Sequence, residues 1–236
     1  MSDSPIRVTI VDDSVVVRGL FSRWLSALPD IEIAGIHRNG LEAVRQIAHV
    51  RPDVVILDIE MPETDGLTAL PLLLEASPGS KVLVVSGMSA RAADLTLRCI
   101  MRGAVDFLAK PTTMQDGANL DDFRVALLEW VHAVGTRRKQ GSSGQPATAS
   151  AMPAAVMAAR VADGGATVRP DRAPLACRPE VIVIGASTGG PPAIAELLRA
   201  IGPVAAKVPV VVAQQMPASF TALFADLIAR QSLLDT

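Results

Sequence analysis

Apolar residues in the first 135 positions fall into two alternating rhythms. Short β-rich runs occupy Arg7–Val11, Ile31–Ile36, Asp53–Leu57, Lys81–Val85 and Val105–Leu108. Between them, apolar side chains recur at helical spacing. These stretches cover Ser14–Leu28, Asn39-Gly40 through His49, Asp65-Gly66 through Leu74, Ala90–Met101 and Leu120–Val134. Five strands alternating with five helices predict a doubly wound α/β domain over 1–135, its parallel sheet covered on both faces. The strand order 2-1-3-4-5 suits such a sheet, and sites then lie beyond the carboxyl ends of the strands.

The rhythm stops after Gly135. More than half of the residues from Gly141 to Arg178 are Ala, Gly, Pro or Ser, and no aromatic residue occurs between Trp130 and Phe220. Such a stretch buries too little apolar surface to order itself, so 136–178 reads as a flexible linker opened by the basic run Arg137-Arg138-Lys139. An incomplete second α/β block follows over 179–236. It has a strand at Glu180–Ile184, a glycine-rich turn at Gly185–Gly190 and a helix from Pro191-Pro192 to about Ala200. A second strand at Val208–Ala213 and a helix at Ser219–Arg230 complete it. About 60 residues are marginal for an independent core. Two strands leave apolar edges unpaired, so this block is expected to be unstable alone.

Composition narrows the function. The chain has 236 residues, half of them hydrophobic, and a formal charge of -2. That balance argues against binding nucleic acid through charge, and Arg137–Lys139 is too short a run to change this. No apolar stretch reaches membrane-span length and the N-terminus lacks a signal-peptide core, so a cytoplasmic protein is expected. Two cysteines, Cys99 and Cys177, rule out a disulfide framework.

Polar residues sit where the strands end. Asp12 and Asp13 follow the first strand, Asp58 the third, Ser86 the fourth and Lys110 the fifth. In the order 2-1-3-4-5 the three acids converge on one rim. Converging carboxylates repel unless a cation sits among them, and hard oxygen donors suit Mg²⁺. A lysine and a hydroxyl at the same rim complete a site for a phosphoryl group.

Val-Asp-Asp-Ser at 11–14, Leu-Asp-Ile-Glu-Met-Pro at 57–62, Asp65-Gly66 and Lys110-Pro111 resemble the flavodoxin-like receiver domain of bacterial response regulators. The resemblance implies that Asp58 accepts a phosphoryl group from a phosphohistidine on a sensor histidine kinase. It implies Mg²⁺ held by Asp13 and Asp58, by the backbone carbonyl of Glu60, and by Asp12 through water. Lys110 would pair with the phosphoryl oxygens. Ser86 would swing toward the phosphate, and Phe107 would follow it inward; plain core packing is the other reading of Phe107.

Gly185-Ala186-Ser187-Thr188-Gly189 matches Gly-x-Ser-x-Gly between a strand and a helix. A nucleophile elbow needs that context, with Ser187 presented beside helix N-terminal N–H groups. A packing turn or a phosphate cradle fits the pattern equally, although no Gly-Lys-Ser/Thr follows as in a P-loop. The longer stretches Val-Ile-Gly-Ala-Ser-Thr-Gly-Gly-Pro at 183–191 and Val-Val-Ala-Gln-Gln-Met-Pro-Ala-Ser-Phe-Thr at 211–221 resemble the chemotaxis protein-glutamate methylesterase family, CheB. That resemblance implies hydrolysis of glutamyl methyl esters, and deamidation of glutamines, on chemoreceptors, with Ser187 as nucleophile.

Two departures bear on activity. Gln215 stands where the family has a histidine, and no histidine follows His132. The family's triad aspartate lies beyond Thr236. A glutamine amide cannot act as general base at neutral pH. The expected function is a phosphorylated chemotaxis regulator with impaired or absent esterase activity. The alternative is an active methylesterase working through Ser187.

Overall fold

The computed structural model describes residues 4–62, 64–111, 117–141, 180–205 and 207–232. The expected linker lies largely outside them.

The first unit alternates strands and helices throughout. Its strands are β1 (Ile6–Val11), β2 (Ile31–His37), β3 (Val54–Asp58), β4 (Lys81–Ser86) and β5 (Asp106–Ala109). Its helices are α1 (Val15–Ser26), α2 (Gly40–Val50), α3 (Gly66–Ala76), α4 (Ala90–Met101) and α5 (Gly117–Gly141). The sheet is parallel, in the order β2-β1-β3-β4-β5. Helix α5 runs on through Arg137–Lys139 to Gly141.

Period-two alternation distributes the core. In β3, Val54 and Ile56 face a cluster with Phe21, Leu25, Phe123 and Trp130 from α1 and α5. Val55 and Leu57 face the opposite cluster, with Ala43, Ile47, Leu70, Leu73 and Ile100 from α2, α3 and α4. Every strand residue of β3 is buried, which is why this run reads as continuously apolar. Cys99 packs into the second cluster, where burial pushes its thiol up to about 12. It acts there as a small apolar side chain.

Caps fix where the helices begin. Ser14 accepts from the Val17 N–H, Asn39 from Glu42, Asp65 from Thr68 and Ser89 from Ala92. Gly66 opens α3 against the backbone at the end of β3. A Cβ there would lie 2.5 Å from the Asp58 carbonyl oxygen. Within α3, Pro71 lacks the N–H that would bond to Leu67. The Leu67 carbonyl instead accepts from the Arg102 guanidinium, 3.3 Å away at the end of α4.

The second unit holds β6 (Ile182–Ala186), α6 (Gly190–Ala205), β7 (Val210–Gln214) and α7 (Ala218–Ser232). Strands β6 and β7 pair in parallel. One sheet face meets α6 and α7, while Val183 and Val211 on the other stay exposed. This unit leans on the first. Ile194, Leu198, Phe220, Phe224 and Ile228 pack with Ala93 and Leu97 of α4.

Candidate functional site

The order of the sheet places the ends of β1 and β3 side by side. Asp12, Asp13 and Asp58 offer carboxylate oxygens within 4.8 Å of one another. Asp12 and Asp58 are buried and Asp13 is exposed. The Lys110 Nζ bridges the buried pair, 2.9 Å from Asp12 Oδ2 and 3.0 Å from Asp58 Oδ2. The second Asp58 oxygen accepts from the Glu60 N–H at 3.4 Å. Burial lifts the Asp58 carboxyl above its ordinary range; Lys110 opposes this and Asp12 adds to it. Burial works to lower the Lys110 ammonium, but the carboxylates of Asp58 and Asp12 override it and hold it above the usual lysine value. Two buried carboxylates against one ammonium, with a third carboxylate at the mouth, leave unbalanced negative oxygen. That donor set fits Mg²⁺.

Arg18 was not singled out from the sequence. It lies one turn into α1 and its Nη1 donates to the carbonyls of Asp12, at 2.7 Å, and Asp13, at 2.8 Å. The Ser14 N–H donates to Asp12 Oδ1 at 2.8 Å. These bonds orient the acidic loop. The usable signal is spacing, because a residue at 18 on a helix capped at Ser14 faces back over the loop.

Ser86 is fully buried at the end of β4, but its hydroxyl turns toward α4. It donates to the carbonyls of Gly87, at 3.2 Å, and Ala92, at 3.5 Å. Phe107 packs both against the second receiver cluster and against the cluster between the units. Its ring stacks on Phe220 of α7, centroids 4.7 Å apart and 16° between planes. Both readings of Phe107, mobile aromatic and core residue, meet in this contact between the units.

The Gly-x-Ser-x-Gly stretch does turn sharply from strand to helix. Gly189 has φ +75°, in the left-handed region. A Cβ on Gly190 would collide with the Gln214 side chain. Ser187 Oγ donates to Gln215 Oε1 at 2.9 Å, so Gln215 sits where a base would accept the proton. An amide oxygen accepts a hydrogen bond and leaves the proton on the serine. Gln214 Nε2 donates to the Ser187 carbonyl at 2.9 Å and fixes the turn.

The two units meet across a cleft of about 480 Å³. Its receiver side is Asp106–Ala109, the whole of β5, and its far side includes Ser187, Thr188 and Gln215. Thr188 Oγ1 donates to Asp106 Oδ2 at 2.6 Å. Neither Thr188 nor Asp106 stood out in the sequence, because nothing local to either residue forecasts their meeting.

Residues 8–120 match the response regulator receiver domain family, and residues 182–236 match the CheB methylesterase family. A protein-glutamate methylesterase/protein-glutamine glutaminase of Rhodopseudomonas palustris is 42% identical over 97% of this chain, which spans 60% of that relative. One from Paramagnetospirillum magneticum is 40% identical over 96% of this chain, which spans 61% of it. The response regulator domain of Thermotoga maritima CheB superposes with a TM-score of 0.50 at 33% identity, covering 56% of this chain and 97% of that domain. No helix among the described residues is long and apolar enough to cross a membrane. With a receiver matched in fold and sequence, and methylesterase sequence joined to it, the chain belongs to the CheB family of chemotaxis response regulators.

Proposed function

We propose that this chain is a phosphorylation-controlled regulator that receives its phosphoryl group on Asp58 from a chemotaxis-type sensor histidine kinase in the cytoplasm. The observation that carries the reading is the bridge from Lys110 to Asp12 and Asp58 beside Asp13. An Asp58 oxygen attacks the phosphorus of a phosphohistidine. The bond from phosphorus to imidazole nitrogen breaks, and the imidazole leaves with the electron pair and takes up a proton. The product is an acyl phosphate on Asp58. Asp13, Asp58 and the Glu60 carbonyl would hold Mg²⁺, with Asp12 through water, and the ion would neutralise charge as two anions approach. Lys110 keeps one ammonium on the phosphoryl oxygens throughout.

Phosphorylation supplies a new acceptor for the Ser86 hydroxyl. Ser86 turns from the Ala92 carbonyl toward the phosphate, and Phe107 moves into the space vacated. The stack on Phe220 is lost and β5 withdraws from the cleft beside Ser187. This is a local charge change acting on a two-state element. Asp58→Asn is expected to abolish labelling by a small phosphodonor in the presence of Mg²⁺. Stoichiometric, persistent labelling of that variant would refute the assignment.

Downstream, Ser187 is the nucleophile toward receptor glutamyl methyl esters, and Gln215 leaves it without a base. Loss of one such member costs on the order of 10⁴-fold or more, so ester hydrolysis is impaired or absent. A second reading, an active methylesterase, draws on the 2.9 Å contact of Ser187 with an acceptor at the elbow. Release of methanol from methylated chemoreceptors, abolished by Ser187→Ala, would establish it.

A further inference from the structure

Ser86 is fully buried, yet only weak bonds hold its hydroxyl at rest. The hydroxyl has one proton to give and shares it between the carbonyls of Gly87, at 3.2 Å, and Ala92, at 3.5 Å. Both are long for a hydroxyl donor, which prefers about 2.5–3.0 Å. A buried hydroxyl ordinarily closes on such an acceptor, so the acceptor at Ala92 has a competing partner.

That partner is Thr96, one turn further along α4 and likewise fully buried. Its Oγ1 donates to the same Ala92 carbonyl at 2.7 Å. The helical ladder of α4 also directs the Thr96 N–H at that oxygen. A carbonyl offers two lone pairs, and Thr96 takes both. Ser86 comes third. The peptide that carries this carbonyl is also held from tilting toward Ser86, because its N–H, on Ala93, donates to the Ser89 carbonyl at 2.9 Å.

We infer that Thr96 is a positioning residue for the phosphoryl response: by occupying the Ala92 carbonyl, it keeps Ser86 loosely tied and ready to turn to Asp58. The inference rests on the reading of Ser86 as the hydroxyl that meets a phosphoryl group on Asp58. Thr96 acts on both sides of that turn. Before it, Thr96 denies Ser86 a strong acceptor, which raises the resting state. After it, Thr96 still satisfies the Ala92 carbonyl, so the departure of Ser86 orphans no buried acceptor. Both effects favour the turned state.

The test uses beryllofluoride, which binds a carboxylate oxygen as a phosphoryl group does. It is added to the full chain in saturating Mg²⁺, and binding is followed by chemical-shift titration. Thr96→Val keeps the shape of the side chain and removes its hydroxyl. It frees a lone pair for Ser86 and is expected to weaken beryllofluoride binding about fivefold, the worth of one neutral hydrogen bond. Thr96→Ser, which keeps the hydroxyl, should bind as wild type does. Affinity for Mg²⁺ alone should be the same in all three, because Ser86 takes no part in holding the ion. In a Ser86→Ala background no hydroxyl remains to be held, and Thr96→Val should leave beryllofluoride affinity unchanged. Equal affinity of wild type and Thr96→Val overturns the inference and leaves Ser86 in its role. An equal loss with and without the Ser86 hydroxyl, or a matching loss of Mg²⁺ affinity, also overturns it, since Thr96 would then act through the packing of α4. If wild type takes up no beryllofluoride, or Ser86→Ala takes it up as well as wild type, the phosphoryl role of Ser86 falls and the inference with it.

Discussion

The rim around Asp58 and the corner around Ser187 are built on the same plan. Each lies at the carboxyl end of parallel strands, and each sets the oxygen proposed as nucleophile within hydrogen-bond reach of a partner, Lys110 in one case and Gln215 in the other. At the rim the partner carries the charge that the chemistry needs. At the corner the partner has the right position and the wrong proton affinity. The comparison separates two properties that often travel together: accepting a hydrogen bond needs only a lone pair, while accepting a proton needs basicity near the working pH.

The strongest way to break that comparison is to restore basicity. Gln215→His is expected to raise ester hydrolysis by on the order of 10⁴-fold where the rest of a methylesterase domain is present, and Ser187→Ala to erase the gain. Methanol release measures both. An unchanged rate would mean that the corner lacks more than its base.

The rim can be weakened without touching its carboxylates. Arg18→Ala frees the carbonyls of Asp12 and Asp13 and should lower Mg²⁺ affinity by roughly 10–100-fold, as loss of an orienting neighbour does at metal sites. Arg18→Lys should recover part of it. Calorimetric titration with Mg²⁺ reads the effect, and unaltered thermal unfolding distinguishes it from collapse of the domain.

Between the two sites, Phe220→Ala should remove the stack on Phe107 and its apolar contacts. Stacking alone is worth about 1 kcal/mol, so hydrogen exchange in α7 should quicken several-fold while β3 remains protected. Unchanged exchange would mean that Phe107 does not hold the units together.

The smallest effect concerns the cost of the rim itself. Burial raises the Asp58 carboxyl, so ionising it costs more in the folded protein than in the unfolded chain. For this group, stability is greatest below the ordinary carboxylate value and falls as pH rises through the raised one. Asp58→Asn in chelator should therefore raise Tm at pH 7 and lose that gain in acid. A lower Tm at pH 7 would show that the pairing with Lys110 outweighs burial.

Much of the rim was legible because its parts are local. Asp12, Asp13, Asp58, Ser86 and Lys110 each close a run of apolar residues, and parallel topology brings strand ends together without further information. The elbow at Ser187 was legible for the same reason, its glycines marking a turn that needs a left-handed residue at Gly189. What escaped depends on contacts distant in sequence. Phe107 carries no sign that its ring would reach from the receiver core to Phe220. Asp106 looks like a solvated strand residue until Thr188 stands opposite. The far end of α5 was also missed, since Arg137-Arg138-Lys139 reads as readily as the start of a linker as it does the last turns of a helix.

The proline within α3 has its own consequence. Where the Pro71 N–H is missing, the Leu67 carbonyl accepts from Arg102, 35 positions later in the chain. The contact therefore joins the first turn of α3, just past β3, to the end of α4 across 35 positions of sequence, through one exposed bond that water can replace.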